Sequence, residues 1–515
     1  MMLEVSKDNL FVLIKSLSSS EKRQFTLYVN RFEENSNAKF IQLFNFLDKL
    51  NTYNEHLILE SKIVTKQQLS NLKAHLYKQI LVSLRTNPVN QNIRILIREQ
   101  LDFATILYNK GLHKQSLKIL DKAKQTAVLY EEKNIAFEIV ELEKIIESQF
   151  ITRSAAGRAD ELTIMAMELS KQNIISSKLS NLSLQLYNIM LKSGYAKNTN
   201  EIQLLSTYFA SKLPKYSFQK LGFREKLWLY QTHLWYNFMI QDFLLCYKYA
   251  SKWVGLFADN PQMVFQNPVW YLKGTSYFLE CLFLIKHQTQ IKLVLQKLED
   301  TVHSKEFPKN ENLNSLYFIC VQTAKLNLHF MDGSFIKGIH LVNDISKGIQ
   351  KHQNSIDMHH IMVFYYKIAC MYFGAGDYKN CIEYLQKIIT NKNISVREDL
   401  VCFAKVLNLM AHLDAGFDYN LPQLLTTTHA FLIKMNELHE VQKEILASVK
   451  KLLVAYPQDI KPELKSLYAR LKVFENHPFE KRAFLYLDIL SWIESKVENK
   501  SVAQIIHEKS KKLLK

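Results

Sequence analysis

Interruptions of helical patterning recur at nearly even spacing along most of this 515-residue chain, and this regularity limits the folds open to it. Beyond residue 90, apolar residues follow the three-and-four spacing of amphipathic helices, and the pattern breaks at intervals of 37 to 47 residues. Evenly spaced breaks predict about ten long helical hairpins, each burying its apolar side against its neighbours. The breaks fall near Gly111, Gly157, Gly194, Gln241, His287, Gly333, Gly376, Gly416, Pro457 and Asn499.

Composition favours helices joined by short turns. Only 12 glycines and 9 prolines occur, whereas α/β enzymes need glycine for phosphate loops and tight connections, so the predicted fold class is all-α. The six cysteines lack the paired spacing of a zinc site or a disulfide framework, which favours a reducing compartment. The N-terminus lacks a secretory pattern, and no apolar run approaches the roughly 20 residues of a membrane span. These features predict a cytoplasmic protein.

The stretch from Tyr365 to Ile389 shows the hairpin pattern most clearly. Aromatic, large and small residues alternate on two amphipathic segments around a turn at Gly376, because a small residue on one helix admits the ring of its neighbour. The positions are Tyr365, Ile368, Ala369, Tyr372, Tyr378, Cys381, Leu385 and Ile388. This order resembles the tetratricopeptide (TPR) motif, although the closing proline is missing and the period exceeds the usual 34 residues. The resemblance implies a TPR-like α-solenoid.

Three further stretches resemble a group of TPR-like bacterial proteins from Bacteroidetes that has no assigned activity. They are LIKSLSSSEKRQF at 13–25, LNLMAHLDAGFDY at 407–419 and YLDILSWIESKVENK at 486–500. The resemblance implies architecture and bacterial origin but no mechanism. The last hairpin, whose final helix is polar and ends in lysines, is predicted to cap the array.

The first 90 residues differ from the rest and form a predicted N-terminal helical domain or cap, followed by the repeat region at 91–515. Ser18 and Glu21 make a capping-box pattern that opens a helix. A helix-turn-helix DNA reader is an alternative for this region. It would offer Lys66, Lys73, Lys78 and Arg85 to phosphates.

A partner-binding groove is implied by the TPR resemblance, since TPR proteins hold peptides along the surface made by the first helices of successive hairpins. Aligning the turns gives nine groove residues: Trp228, Gln231, Trp235, Phe238, Tyr277, Asn327, Phe330, Tyr366 and Phe373. Aromatic anchors would suit an apolar peptide or an amphipathic helix. The alternative is that the same residues are core.

A basic row follows the first turn of the repeat region. Lys110, Lys114, Lys118 and Lys122 recur every four residues, so their charges repel unless a partner or salt screens them. An acidic partner or a phosphate backbone would relieve the repulsion, and the alternative is an ordinary solvated outer face. The net charge of +17 is itself spread through the chain.

No catalytic motif is recognisable, and the densest group of potential metal ligands is His352, Asp357, His359 and His360. Adjacent histidines on a helix point about 100° apart, so this group does not predict a metal site. We therefore predict no enzymatic activity, no cofactor and no metal. The predicted function is a scaffold or adaptor that binds a protein or peptide partner in the groove. The alternative is a nucleic-acid-associated regulator that contacts phosphates through the N-terminal helices and the basic row.

Overall fold

A computed structural model describes residues 8–31, 38–87, 92–149, 156–391, 398–416, 418–435, 437–484 and 488–513. Every regular element in these ranges is a helix, which confirms the all-α prediction. None of the helices in the described ranges is both long and apolar enough to cross a lipid bilayer. The chain divides into two compact units, Met1–Thr163 and Ile164–Lys515.

The first unit contains eight helices and the start of a ninth. Their bounds are α1 Asn9–Ser16, α2 Ser19–Val29, α3 Lys39–Lys49, α4 Glu55–Glu60, α5 Lys66–Arg85, α6 Ile93–Asn109, α7 His113–Leu129, α8 Lys133–Gln149 and α9 Arg158–Ser193. The predicted capping box is present, since the Ser18 N–H donates to the Glu21 carboxylate at 2.8 Å and the Glu21 N–H donates to Ser18 Oγ at 3.3 Å. Helices α1, α2 and α3 pack on α5 around an apolar core of their own. The N-terminal domain boundary near residue 90 stays a prediction.

The second unit continues with α10 to α26, around one apolar core that reaches from α9 to α26. The bounds are α10 Thr199–Lys212, α11 Phe223–Met239, α12 Phe243–Asp259, α13 Gln262–Gln266, α14 Pro268–Leu284, α15 Gln288–His303, α16 Glu311–Asp332, α17 Phe335–Ile339, α18 Leu341–Lys351, α19 Met358–Ala375, α20 Tyr378–Ile389, α21 Glu398–Ala415, α22 Leu421–Lys434, α23 Glu440–Leu452, α24 Pro457–Lys472, α25 Ile489–Glu498 and α26 Val502–Leu513. Neighbouring helices along the chain pack on each other, as in the pairs α11–α12 and α19–α20.

The predicted interruptions all lie at helix boundaries. Gly376 ends α19 in the left-handed conformation at φ +81°, which glycine adopts without steric cost, and Pro457 is the first residue of α24. One interval departs from the hairpin pattern, because residues 158–193 form the single 36-residue helix α9. That stretch has no glycine or proline to stop a helix.

The C-terminal helices pack back onto earlier parts of the second unit. Helix α26 contacts α16 and α19, and a Cβ added to Gly333 would lie 2.8 Å from the Ala503 carbonyl oxygen. On α25, Trp492 donates its indole N–H to Asp414 at 2.8 Å and lies against Phe373. The cap prediction was therefore wrong in this respect, because a terminal cap would contact only the preceding repeat.

Candidate functional site

The residues predicted to line a groove lie mostly in the core of the second unit. Trp228 and Tyr277 are half-buried. The other seven are less than 9% exposed: Gln231, Trp235, Phe238, Asn327, Phe330, Tyr366 and Phe373. This burial corresponds to the core alternative that the sequence left open, since only Trp228 and Tyr277 of the nine are even partly exposed.

Three of the predicted groove residues meet in one aromatic cluster. The rings of Trp235 and Tyr277 are 5.1 Å apart between centroids, and Trp228 lies 4.7 Å from Trp270. Trp253 joins the cluster through Tyr277, at 5.9 Å. The sequence prediction did not include Trp253 and Trp270 in this cluster. The concentration of tryptophans between residues 228 and 270 is a sequence feature that could have indicated it. Edge-on and tilted contacts of this kind hold α11, α12 and α14 together.

Asn327 belongs to a buried polar network that the sequence did not reveal. The Lys367 ammonium donates to Asn327 Oδ1 at 2.6 Å, and Asn327 Nδ2 donates to the Glu280 carboxylate at 2.9 Å. Burial lowers the pKa of Lys367, and the charge of Glu280 opposes that shift. The network joins α14, α16 and α19, so the polar groups of these three side chains stabilise the packing of the three helices.

Tyr366 and Phe373 are covered by C-terminal helices. Tyr366 lines a small cavity that offers about 20 Å³ to water-sized groups, enough for about one water molecule. The other lining residues are Phe403, Val406, Leu407, Met410, Val441, Gln442, Ile445 and Ile489. A peptide therefore cannot reach either aromatic ring without displacing packed helices.

The four lysines of the basic row are all exposed on the first unit. Lys110 lies in the turn at Gly111, and Lys114, Lys118 and Lys122 follow on α7. Among the residues that the structure describes, no carboxylate pairs with any of the four. The turn at Gly111 separates Lys110 from α7, so the part of the row that lies on this helix, Lys114 to Lys122, covers about 12 Å. Its positive charge is therefore available to a partner.

A buried ion-pair group fixes the inner side of the same helix. Lys124 is 6% exposed and donates to both oxygens of the fully buried Glu143 at 2.8 Å. The Arg158 guanidinium reaches Glu143 at 3.1 Å, so the carboxylate joins α7 and α8 to the start of α9. Ser116 also donates to the Ala104 carbonyl at 2.8 Å, which ties α7 to α6. Helix α7 is thus held by its buried side, while Lys114, Lys118 and Lys122 on its outer side face water.

Two apolar side chains that the sequence did not single out lie exposed on α6. Phe103 is 49% exposed and Ile106 is 53% exposed. Residues 103, 106 and 110 share one stripe at helical spacing, so the apolar pair leads directly to Lys110.

Two of the four cations offered by the helix-turn-helix alternative already have partners. Lys73 forms an ion pair with Asp8 and donates to the Tyr53 hydroxyl at 3.1 Å, and Arg85 pairs with Asp102 at 3.2 Å. Lys66 and Lys78 are exposed. The N-terminal helices therefore present fewer free cations than their sequence indicates.

The histidines near residue 357 have local partners. His352 contacts Glu311 at 2.5 Å, and the His360 ring contacts Asp357 at 2.7 Å. Burial alone would raise the pKa of Asp357, but hydrogen bonds from the His360 ring and backbone lower it to about 2. Across the described ranges, no three His, Cys, Asp or Glu side chains come together as a metal ion requires.

The thiols are also buried. None of the six cysteines is part of a disulfide, and burial raises the pKa of Cys320 and Cys370 to about 12. Thiols in such surroundings are poor nucleophiles, because the thiolate is the reactive form. The exposed basic row is therefore the candidate site that a partner can reach. No family model, no curated protein and no solved structure matches this chain.

Proposed function

We propose that this protein is a non-catalytic scaffold or adaptor that binds a protein partner. The observation that carries the proposal is the basic row, whose four exposed lysines have no carboxylate partner in the described chain, together with the exposed Phe103 and Ile106 on the preceding helix α6. Uncompensated like charges cost a few tenths of a kcal/mol per pair, and an acidic partner relieves that cost. The contact surface is on the hairpin α6–α7, and the predicted groove contributes at most Trp228 and Tyr277.

The finer architecture is part of the same proposal. We propose that the hairpins stack as a TPR-like solenoid in a bacterial protein of the cytoplasm. Support comes from turns at the predicted spacing, from packing between helices adjacent in the chain and from six cysteines that form no disulfide, which suits a reducing compartment.

A nucleic-acid-associated regulator is the second candidate. The exposed row would neutralise phosphates and release counterions, and exposed Lys66 and Lys78 would add contacts on α5. Phosphates would contact the lysines but not the exposed apolar side chains of Phe103 and Ile106, so we prefer the adaptor proposal.

Affinity capture from nuclease-treated lysate of the native host, followed by mass spectrometry, tests the adaptor proposal. We compare the unaltered protein with Lys114→Glu/Lys118→Glu and with the control Lys66→Glu/Lys78→Glu, which changes the net charge equally. We expect the unaltered chain and the control to retain the same partner protein. The row variant should retain at least about tenfold less of that protein, because only the row variant opposes the partner's charge. Capture that nuclease abolishes, or that both variants weaken equally, contradicts the adaptor and favours the nucleic-acid candidate.

A further inference from the structure

Two segments that lie far apart in the sequence meet within the second unit. Lys197, which precedes α10, forms an ion pair at 2.8 Å with Glu437, which precedes α23. The Lys481 ammonium donates to the carbonyl oxygen of Gln241, in the turn between α11 and α12, at 2.9 Å. In an open helical array each hairpin contacts only its neighbours, so a contact across 240 residues means that the C-terminal part returns to the start of the unit. We call these two contacts the clasp.

The N-terminal side of the clasp is held together by its own hydrogen bonds. The Ala196 N–H donates to the Met239 carbonyl oxygen at 2.8 Å, and the Gln241 side-chain amide donates to the Ala196 carbonyl oxygen at 3.2 Å. Lys197 and the turn at Gln241 therefore form one piece without help from the C-terminal helices.

The C-terminal side of the clasp is built on the first turn of α23. The N–H groups of Glu440 and Val441 donate to the Glu480 carboxylate, each at 3.1 Å, so the residue before Lys481 fixes the N-terminus of this helix. Val441 is fully buried and lines the small cavity beside Tyr366. The clasp thereby positions the part of α23 that covers Tyr366.

The chemistry of the clasp differs from that of the core around it. The side chains of Lys197 and Glu437 are 17% and 7% exposed, so each buried charge depends on its partner. Lys481 is paired with a backbone carbonyl group. Water can take the place of these polar partners when the contact separates. The clasp can therefore part without the loss of apolar burial that the separation of two core helices entails.

We propose that the clasp controls access to Tyr366. While the clasp is closed, α23 covers Tyr366 and the cavity. When it parts, the first turns of α23 move away and solvent reaches Tyr366, while α11 to α21 stay folded. This inference concerns the second unit alone and does not depend on the adaptor proposal, which rests on the first unit.

Hydrogen exchange of the full chain, measured by mass spectrometry, tests the inference, with α23 as the reporter and α14 as the reference. Lys197→Glu and Lys481→Met each remove one contact of the clasp. Lys197→Glu/Glu437→Lys exchanges the two charges and restores the ion pair. Lys387→Glu is the control, because it breaks an exposed pair with Glu383 on α20. Circular dichroism checks the helix content of each variant.

A cysteine on α23 reports whether side chains in the cavity become accessible. Ile445 is 1% exposed and lines the cavity. The rate at which a maleimide labels Ile445→Cys is measured by peptide mapping, which separates this thiol from the native cysteines. The measurement is made with and without Lys197→Glu and Lys481→Met.

We expect Lys197→Glu and Lys481→Met each to accelerate exchange in α23, and labelling at residue 445, at least about tenfold. The exchanged charges should restore the slow rates, and Lys387→Glu should leave them unchanged. Unchanged rates in α23, or rates that stay high after the charge exchange, overturn the inference. Equal acceleration in α14 also overturns it, because the contact would then stabilise the whole unit. Loss of helix content in Lys481→Met, which introduces no charge, has the same meaning.

Discussion

His233 on α11 is held in the neutral form by its surroundings. Its ring stacks on Tyr249 of α12, with centroids 4.4 Å apart and planes 7° from parallel. Burial, together with the positive charge of Lys252, lowers the pKa of His233 to about 4. An unfolded chain carries the same imidazole with a pKa near 6.5. Folding stability therefore depends on pH through this one side chain.

The sign of the dependence follows from which state binds the proton first. Below about pH 6.5 the imidazole of His233 becomes protonated in the unfolded chain, whereas in the folded chain it stays neutral until about pH 4. The contribution of His233 to the free energy of unfolding is thus fully present above pH 6.5. It declines by at most about 1.4 kcal/mol per pH unit as the pH falls, and it levels off near pH 4.

His233→Gln should reduce this loss of stability at low pH. Urea midpoints at pH 7 and pH 5 measure it, with His340→Gln at an exposed position as control. An unchanged slope in His233→Gln would show that this imidazole is not the source.

At the scale of the helices, a Gly→Ala substitution should change the folding stability in opposite directions at two glycines of the second unit. Gly376 ends α19 at φ +81°, whereas Gly255 lies inside α12, and no atom lies within 4 Å of an added Cβ at either position. Gly376→Ala should destabilise by about 1–2 kcal/mol, because an L residue is strained in the left-handed region. Gly255→Ala should stabilise by about 0.5–1 kcal/mol, because glycine weakens a helix interior. Urea midpoints measure both, and a shift in the same direction for the two variants would contradict the assignment.

Helix boundaries were predictable because residues close to each boundary determine where the helix ends. Gly111, Gly376 and Asn499 stand where a left-handed residue ends a helix, and each lies at the predicted break. The course of α9 was less predictable, since even spacing suggested a hairpin where the chain continues as one helix. A repeat period averaged along the chain does not reveal which interval lacks an internal turn.

At the scale of the second unit, the C-terminal helices stabilise elements far from them in sequence. Trp492 is 2% exposed, hydrogen-bonded to Asp414 and packed on Phe373. Trp492→Ala should destabilise by about 3–5 kcal/mol through the cavity that it leaves. Hydrogen exchange should accelerate in α19 and α21 as well as in α24 to α26, because the lost contacts lie on those helices. Val473→Ala, at a position 75% exposed, is the control. Acceleration limited to α24 to α26 would mean that α25 and α26 act as a terminal cap after all.

The sequence by itself determined that this protein is helical and where most of its helices end, because periodicity, capping residues and left-handed turns act over a few neighbouring residues. It also identified the basic row, but it could not separate exposed Lys122 from Lys124, two positions away, which is buried against Glu143. Only the tertiary structure decided that Trp235 and Tyr366 lie in the core, that α26 packs on α16 and α19, and that Phe103 and Ile106 face water. The reason is that burial depends on which distant helix covers a face, and one apolar stripe at helical spacing looks the same whether it meets a neighbouring helix, a returning one or solvent.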